Sequence, residues 1–282
     1  MKPLFGDQFY PLDFNQLNKQ IENSFYSKLG PGSLPVKRKN KRLLGVIVPH
    51  AGYVYSGPAA AWAYKEIAEH RFADTYVILA PDHYGFSETI MTSDEVWDMP
   101  FGKVEVDKGF IMELLNKCKF VKKGKIAEHA VEVQLPFLQY ACRDKLRELK
   151  IVPLVIPSKF DFVRLAEAIT EINENVCVIA SSDFTHYGNY YGFVPFKFNV
   201  KERIKQLDIG AIEFIQKLDS EHFLDYIKKT KATICGKFAI SAAIEVVKEL
   251  FGKKALLLNY YTSGDITKDY SSSVSYAALK FV

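Results

Sequence analysis

Four stretches of this chain carry continuous apolar runs: residues 43–48, 74–80 (apolar from Tyr76 on), 151–156 and 176–180. Each is too short for a helix, and none alternates apolar with polar residues as a half-exposed strand would. A strand that is apolar throughout is covered on both faces, the condition of strands inside a parallel sheet. Stretches with helical spacing follow the strands at 57–69, 161–173 and 238–251. The pattern predicts an α/β fold: a single domain with a central, largely parallel or mixed sheet flanked by helices. Residues 8–28 read as a further helix ended by Gly30-Pro31-Gly32, and 37–42 as a solvated basic linker. Residues 1–42 are therefore expected to pack on the single domain, 1–282, as a helix and linker. Residues 89–107 read as a β-excursion, 107–118 as a helix, and 127–142 as a helix kinked or broken by Pro136. Mostly helical sequence at 201–229 and two strands, 256–262 and 274–281, complete the reading.

The strands matter for function because of how they end. The first runs into Pro49-His50, the second into Pro81-Asp82-His83, and 176–180 into Ser181-Ser182-Asp183-Phe184-Thr185-His186. Ligands of open α/β sheets sit beyond the carboxyl ends of the strands, where residues distant in sequence converge. Imidazole is the commonest ligand for borderline transition metals, and two histidines with one anionic group suit non-haem iron. Asp82, Glu128, Asp183 and Cys235 are the candidates for the third ligand. Cys235 lies just before a helix, whose dipole is expected to lower its pKa. Asp183 is expected to orient His186, three residues on, and Glu128-His129 is a candidate acid–base pair. Cys118, Cys142 and Cys177 read as core positions, and His70 and His222 as surface ones.

Other classes find no support. A net charge of +4 over 282 residues gives no reason to expect nucleic acid. No run reaches the ~20 apolar residues of a membrane span, and the four scattered cysteines form no Cys-x-x-Cys pair. A reducing cytoplasm is the expected location. There is no Gly-x-Gly-x-x-Gly, Walker A or Gly-x-Ser-x-Gly motif. Ser181, Asp183 and His186 lie too close in sequence for a hydrolase triad.

Longer blocks carry a resemblance. Phe9-Tyr10-Pro11, Val48-Pro49-His50-Ala51-Gly52-Tyr53-Val54-Tyr55-Ser56-Gly57, Ala80-Pro81-Asp82-His83, Glu128-His129-Ala130-Val131-Glu132-Val133-Gln134-Leu135-Pro136, Ser181 to Gly188, Ile234-Cys235-Gly236-Lys237 and Ser272 to Ala278 resemble, in order, the motifs of the Memo family. This is the mediator-of-cell-motility-like family, also protein B of the AmmeMemoRadiSam system. The resemblance implies a LigB-like fold, similar to the catalytic subunit of class III extradiol dioxygenases. It implies iron or copper as cofactor, with His50, His83 and Cys235 as metal ligands and His186 and Asp183 beside them. It also implies a radical-SAM protein and an AMMECR1-type protein as partners. Expected functions are a redox-active, metal-binding oxidoreductase, a true extradiol dioxygenase on a catechol, or a non-catalytic module that binds a small molecule, a peptide or a partner, or handles metal. A cysteine where the dioxygenases place a carboxylate counts against ring cleavage.

Overall fold

The apolar runs form the middle of one sheet. In the computed structural model, which describes residues 1–85 and 88–282, the strands are β1 (Gly45–Val48), β2 (Thr75–Pro81), β3 (Ile90–Thr92), β4 (Trp97–Met99), β5 (Gly102–Val106), β6 (Val121–Lys123), β7 (Lys150–Ile156), β8 (Val176–Ser181), β9 (His186–Tyr187), β10 (Ala255–Thr262) and β11 (Ser273–Phe281). The helices are α1 (Phe14–Tyr26), α2 (Tyr53–Glu69), α3 (Lys108–Lys117), α4 (His129–Glu132), α5 (Gln134–Ala141), α6 (Phe162–Ile172), α7 (Val200–Gln216), α8 (Ser220–Thr230), α9 (Lys237–Glu249) and α10 (Ser263–Thr267). The α/β class and the helix-flanked mixed sheet are as the sequence predicts.

Among the described residues the strand order is β10-β11-β1-β8-β2-β7-β3-β6. The central four, β1, β8, β2 and β7, run parallel. β11 is antiparallel to both β1 and β10, and β3 is antiparallel to β7, so the sheet is mixed at its margins. β1, β8 and β2 are immediate neighbours, and these are the three strands that end in histidine-bearing loops. Strands spaced ~4.8 Å apart bring those loops within side-chain reach of one another. In register, Val48 stands opposite Ser181, so β1 and β8 finish level.

Aspartates set several helix starts. Asp13, Asp107, Asp161 and Asp219 each accept the amide hydrogen of the residue three positions on, capping α1, α3, α6 and α8. The first helix is therefore shorter than its apolar pattern suggests. α2 begins at Tyr53 rather than 57 and carries Pro58 within it. The break expected in 127–142 falls between α4 and α5: Pro136 has no N–H to donate to Glu132, the last residue of α4. The three short strands β4, β6 and β9 have too few residues to show a period and are not legible in the sequence.

Two surface assignments are corrected. The basic run is not wholly solvated: the Arg38 guanidinium pairs with Asp144 at 2.7 Å and donates to the carbonyls of Ile67, His70 and Ala141. His70 is buried, its Nδ1 2.8 Å from Glu66 O, because α2 lies against this basic segment. Leu17, Ile21 and Phe25 of α1 join the same hydrophobic core as the central strands, so the N-terminal helix packs on the domain. Among the described residues no helix is long and apolar enough to cross a membrane.

Candidate metal centre

The site is built by hydrogen bonds that settle which ring nitrogen of each histidine is free. His50 is buried past the end of β1, with Nδ1 2.8 Å from Ser181 Oγ. The Ser181 hydroxyl has one proton and donates it to Ala130 O at 2.6 Å, while accepting from Gln134 Nε2 at 2.8 Å. His50 Nδ1 must therefore be the donor, which leaves a lone pair on Nε2. That Nε2 lies 3.2 Å from Cys235 Sγ. Burial, and then repulsion from His83, His129 and His186, holds the His50 pKa well below its ordinary value, so the ring stays neutral, the form that ligates metals.

His83 is oriented by Glu128. The Glu128 carboxylate accepts from His83 N at 2.8 Å and from His83 Nδ1 at 3.0 Å. Its Oε1 also accepts the Ala130 amide hydrogen at 3.0 Å and lies 3.1 Å from His129 Nδ1. Burial alone would raise the Glu128 pKa, but the hydrogen bonds from His129, His83 and Ala130 outweigh it and hold the carboxyl at about 2. An ionised carboxylate only accepts, so His83 Nδ1 carries its proton and Nε2 its lone pair. A carboxylate behind a ligating histidine is a recurrent support of metal sites.

Cys235 follows from a close approach of backbones. A Cβ on Gly236 would sit 2.5 Å from both Ser181 O and Ser182 Cβ, so only glycine lets the loop before α9 settle against the end of β8. There the Sγ accepts the Asp183 amide hydrogen at 3.3 Å. The expected fall in the thiol's pKa is not found. Burial, with the Asp183 carboxylate nearby, pushes it up instead, because desolvation outweighs the helix end.

The ligand atoms of His50, His83 and Cys235 lie within 4.8 Å of one another, and so do those of His83, Glu128 and His129. Ring orientation separates the two sets. His50 and His83 meet at 85° with centroids 5.0 Å apart, whereas His83 and His129 are stacked at 29° and 4.5 Å. A metal bonds in the plane of an imidazole, so stacked rings direct their nitrogens side by side rather than at one point. Two imidazoles and a thiol also form the donor set that suits iron, copper or zinc. The residues present thus fit a transition-metal ion at His50, His83 and Cys235.

His50 and His83 face a cavity of about 670 Å³ lined also by His129, Asp183 and His186, with Phe9, Tyr55, Tyr190, Tyr191 and Tyr276 among its walls. His186 does not take its orientation from Asp183. Its Nδ1 faces two carbonyls, Phe184 O at 2.9 Å and Thr233 O at 3.0 Å, and must donate, which leaves Nε2 as its acceptor. Asp183 instead accepts the His50 amide hydrogen at 2.9 Å, because the turn after β8 directs its carboxylate toward β1. Burial raises the Asp183 pKa.

Ser181, Gln134, Phe9 and Tyr191 were not expected in the site. Phe9 stacks on His129 at 4.8 Å, and its segment is pinned by the buried Glu132, which accepts from Leu4 N, Phe5 N and Tyr10 Oη at 2.7–2.9 Å. The signal for Gln134 and Glu132 was their polarity inside an apolar helical stretch. Cys118, Cys142 and Cys177 are buried away from the site, and His222 is exposed.

The chain as a whole is similar to proteins of one family. A family model described as Memo-like protein matches residues 2–280. The chain is 37% identical to a MEMO1 family protein of Methanopyrus kandleri, over 99% of this chain and 98% of the relative. It is 36% identical to one of Methanococcus maripaludis (98% of each) and 37% identical to one of Ignicoccus hospitalis (99% of this chain, 97% of the relative).

Proposed function

The chain belongs to the Memo family, and from that premise we propose that it binds iron or copper through His50, His83 and Cys235 and works as an oxidoreductase. The observation that carries this is the freed Nε2 of His50, 3.2 Å from Cys235 Sγ with its Nδ1 tied to Ser181. When bound, such an ion supplies one-electron redox chemistry and a Lewis-acid position facing the cavity. The chain's own groups do the rest. Ser181 and Glu128 hold the two imidazoles in ligating form. His186, with Nδ1 fixed by two carbonyls, takes or gives a proton at Nε2. The aromatic walls present flat surfaces to a small organic substrate.

The test is metal content. Protein purified anaerobically without chelator is compared by elemental analysis with His50→Ala, His83→Ala and Cys235→Ser. Near-stoichiometric iron or copper in the parent, lost in all three variants, is the expected result. No metal in the parent, even after reconstitution, overturns the reading.

A second reading, an extradiol-type dioxygenase acting on a catechol, draws support from the Glu128 carboxylate, which lies 3.0 Å from His83 Nδ1 and 3.1 Å from His129 Nδ1, two histidines that line the same cavity. Ring-opened product from a catechol panel with iron(II) under air, abolished by Glu128→Gln, is its signature. A panel without product removes it.

A further inference from the structure

A second cavity, of about 650 Å³, opens between the end of α8, the start of α9 and the loop before α6. Lys159, Lys228, Lys231 and Lys237 line it against one acid, Asp225. Among the described residues these four ammonium groups have no carboxylate partner, although lysines elsewhere form seven such pairs. The excess of three positive charges at this one place compares with a net +4 for the whole chain. Lys228 is accounted for by the carboxyl end of α8, where a cation is favourable. Lys159 is not, since it precedes a helix, where a cation is disfavoured; Lys237 opens a helix and has the Phe238 ring, 5.1 Å away, beside its ammonium rather than a carboxylate. Like charges gathered around a concave surface repel one another and attract a counter-charge of matching size. The apolar side chains of Leu224, Ile227 and Phe238 form another part of the lining.

We propose that this cavity binds a small polyphosphorylated ligand, its phosphates held by the four lysines. Its volume falls in the range of small-molecule pockets. The position gives the ligand a consequence for the site already described. Thr233 lines the cavity, and its hydroxyl accepts from His186 N at 2.8 Å while its carbonyl accepts from His186 Nδ1. Cys235 follows two residues later, so a ligand here stiffens the segment that holds both groups. The proposal does not depend on a bound metal.

Isothermal titration of the full chain with inorganic tripolyphosphate, ATP and adenosine tests it. Saturable binding of tripolyphosphate or ATP is expected, weakened about ten-fold or more by the Lys228→Gln/Lys231→Gln double variant. A control double variant with the same charge change, Lys103→Gln/Lys122→Gln, keeps parental affinity, as does His50→Ala. Tripolyphosphate and ATP binding alike assigns recognition to charge; ATP alone adds the apolar lining. Adenosine binding as tightly as ATP, equal loss in the control double variant, or no saturable binding of any probe overturns the proposal.

Discussion

His50 Nε2 and Cys235 Sγ lie 3.2 Å apart although 185 positions separate the two residues in the chain. The contact depends on Ser181, which turns the imidazole, and on Gly236, which lets the cysteine loop approach. Each is open to a direct test.

Ser181→Ala removes the hydroxyl that accepts from His50 Nδ1 and Gln134 Nε2. Two buried donors lose their partner. The fold is expected to lose ~1–3 kcal/mol in chemical denaturation. Affinity for a transition metal, measured by competition with a chromophoric chelator, is expected to fall about 10–100-fold. Unchanged affinity would show that Ser181 does not set the ring.

Gly236→Ala puts a methyl group 2.5 Å from Ser181 O, a backbone atom that cannot swing away. The loop must move, and Cys235 with it. Destabilisation of ~1–3 kcal/mol is expected, together with faster alkylation of Cys235 by a thiol reagent. A parental alkylation rate would mean that the cysteine does not depend on this approach.

Glu128 gives a pH signature in the metal-free protein. Its folded pKa, about 2, lies below the 4.5 of the free group. A group depressed in this sense stabilises the fold fully above the unfolded value, and the contribution is lost as pH falls from about 4.5 toward about 2. Glu128→Gln is expected to flatten the dependence of unfolding free energy on pH in that window, by ~3 kcal/mol at most. Parallel curves for parent and variant would contradict the assignment.

Glu132 anchors the N-terminal segment through three hydrogen bonds and is itself fully buried. Glu132→Ala orphans two amides and a hydroxyl, at an expected cost of ~2–4 kcal/mol. Hydrogen exchange at Leu4 and Phe5 is expected to accelerate more than exchange in β8. Uniform acceleration across both would indicate global loosening rather than release of this segment.

The sequence by itself determined the α/β class, the buried central strands and the helix break ahead of Pro136, because continuous apolar runs and a missing N–H act locally. It also marked the strand ends as the place for His50, His83 and His186, since the register of an apolar strand fixes where its polar residues begin. The tertiary structure alone decided which of those groups work together. Strand order, with β8 inserted between β1 and β2, is a long-range pairing that no local period encodes. It is this order that sets Ser181 behind His50, aims Asp183 at the β1 loop rather than at His186, and stacks His129 between Phe9 and His83. The thiol of Cys235 shows the same division. Its place before a helix is written in the sequence, but its pKa follows from how deeply the loop is buried, and burial is a property of the packed chain.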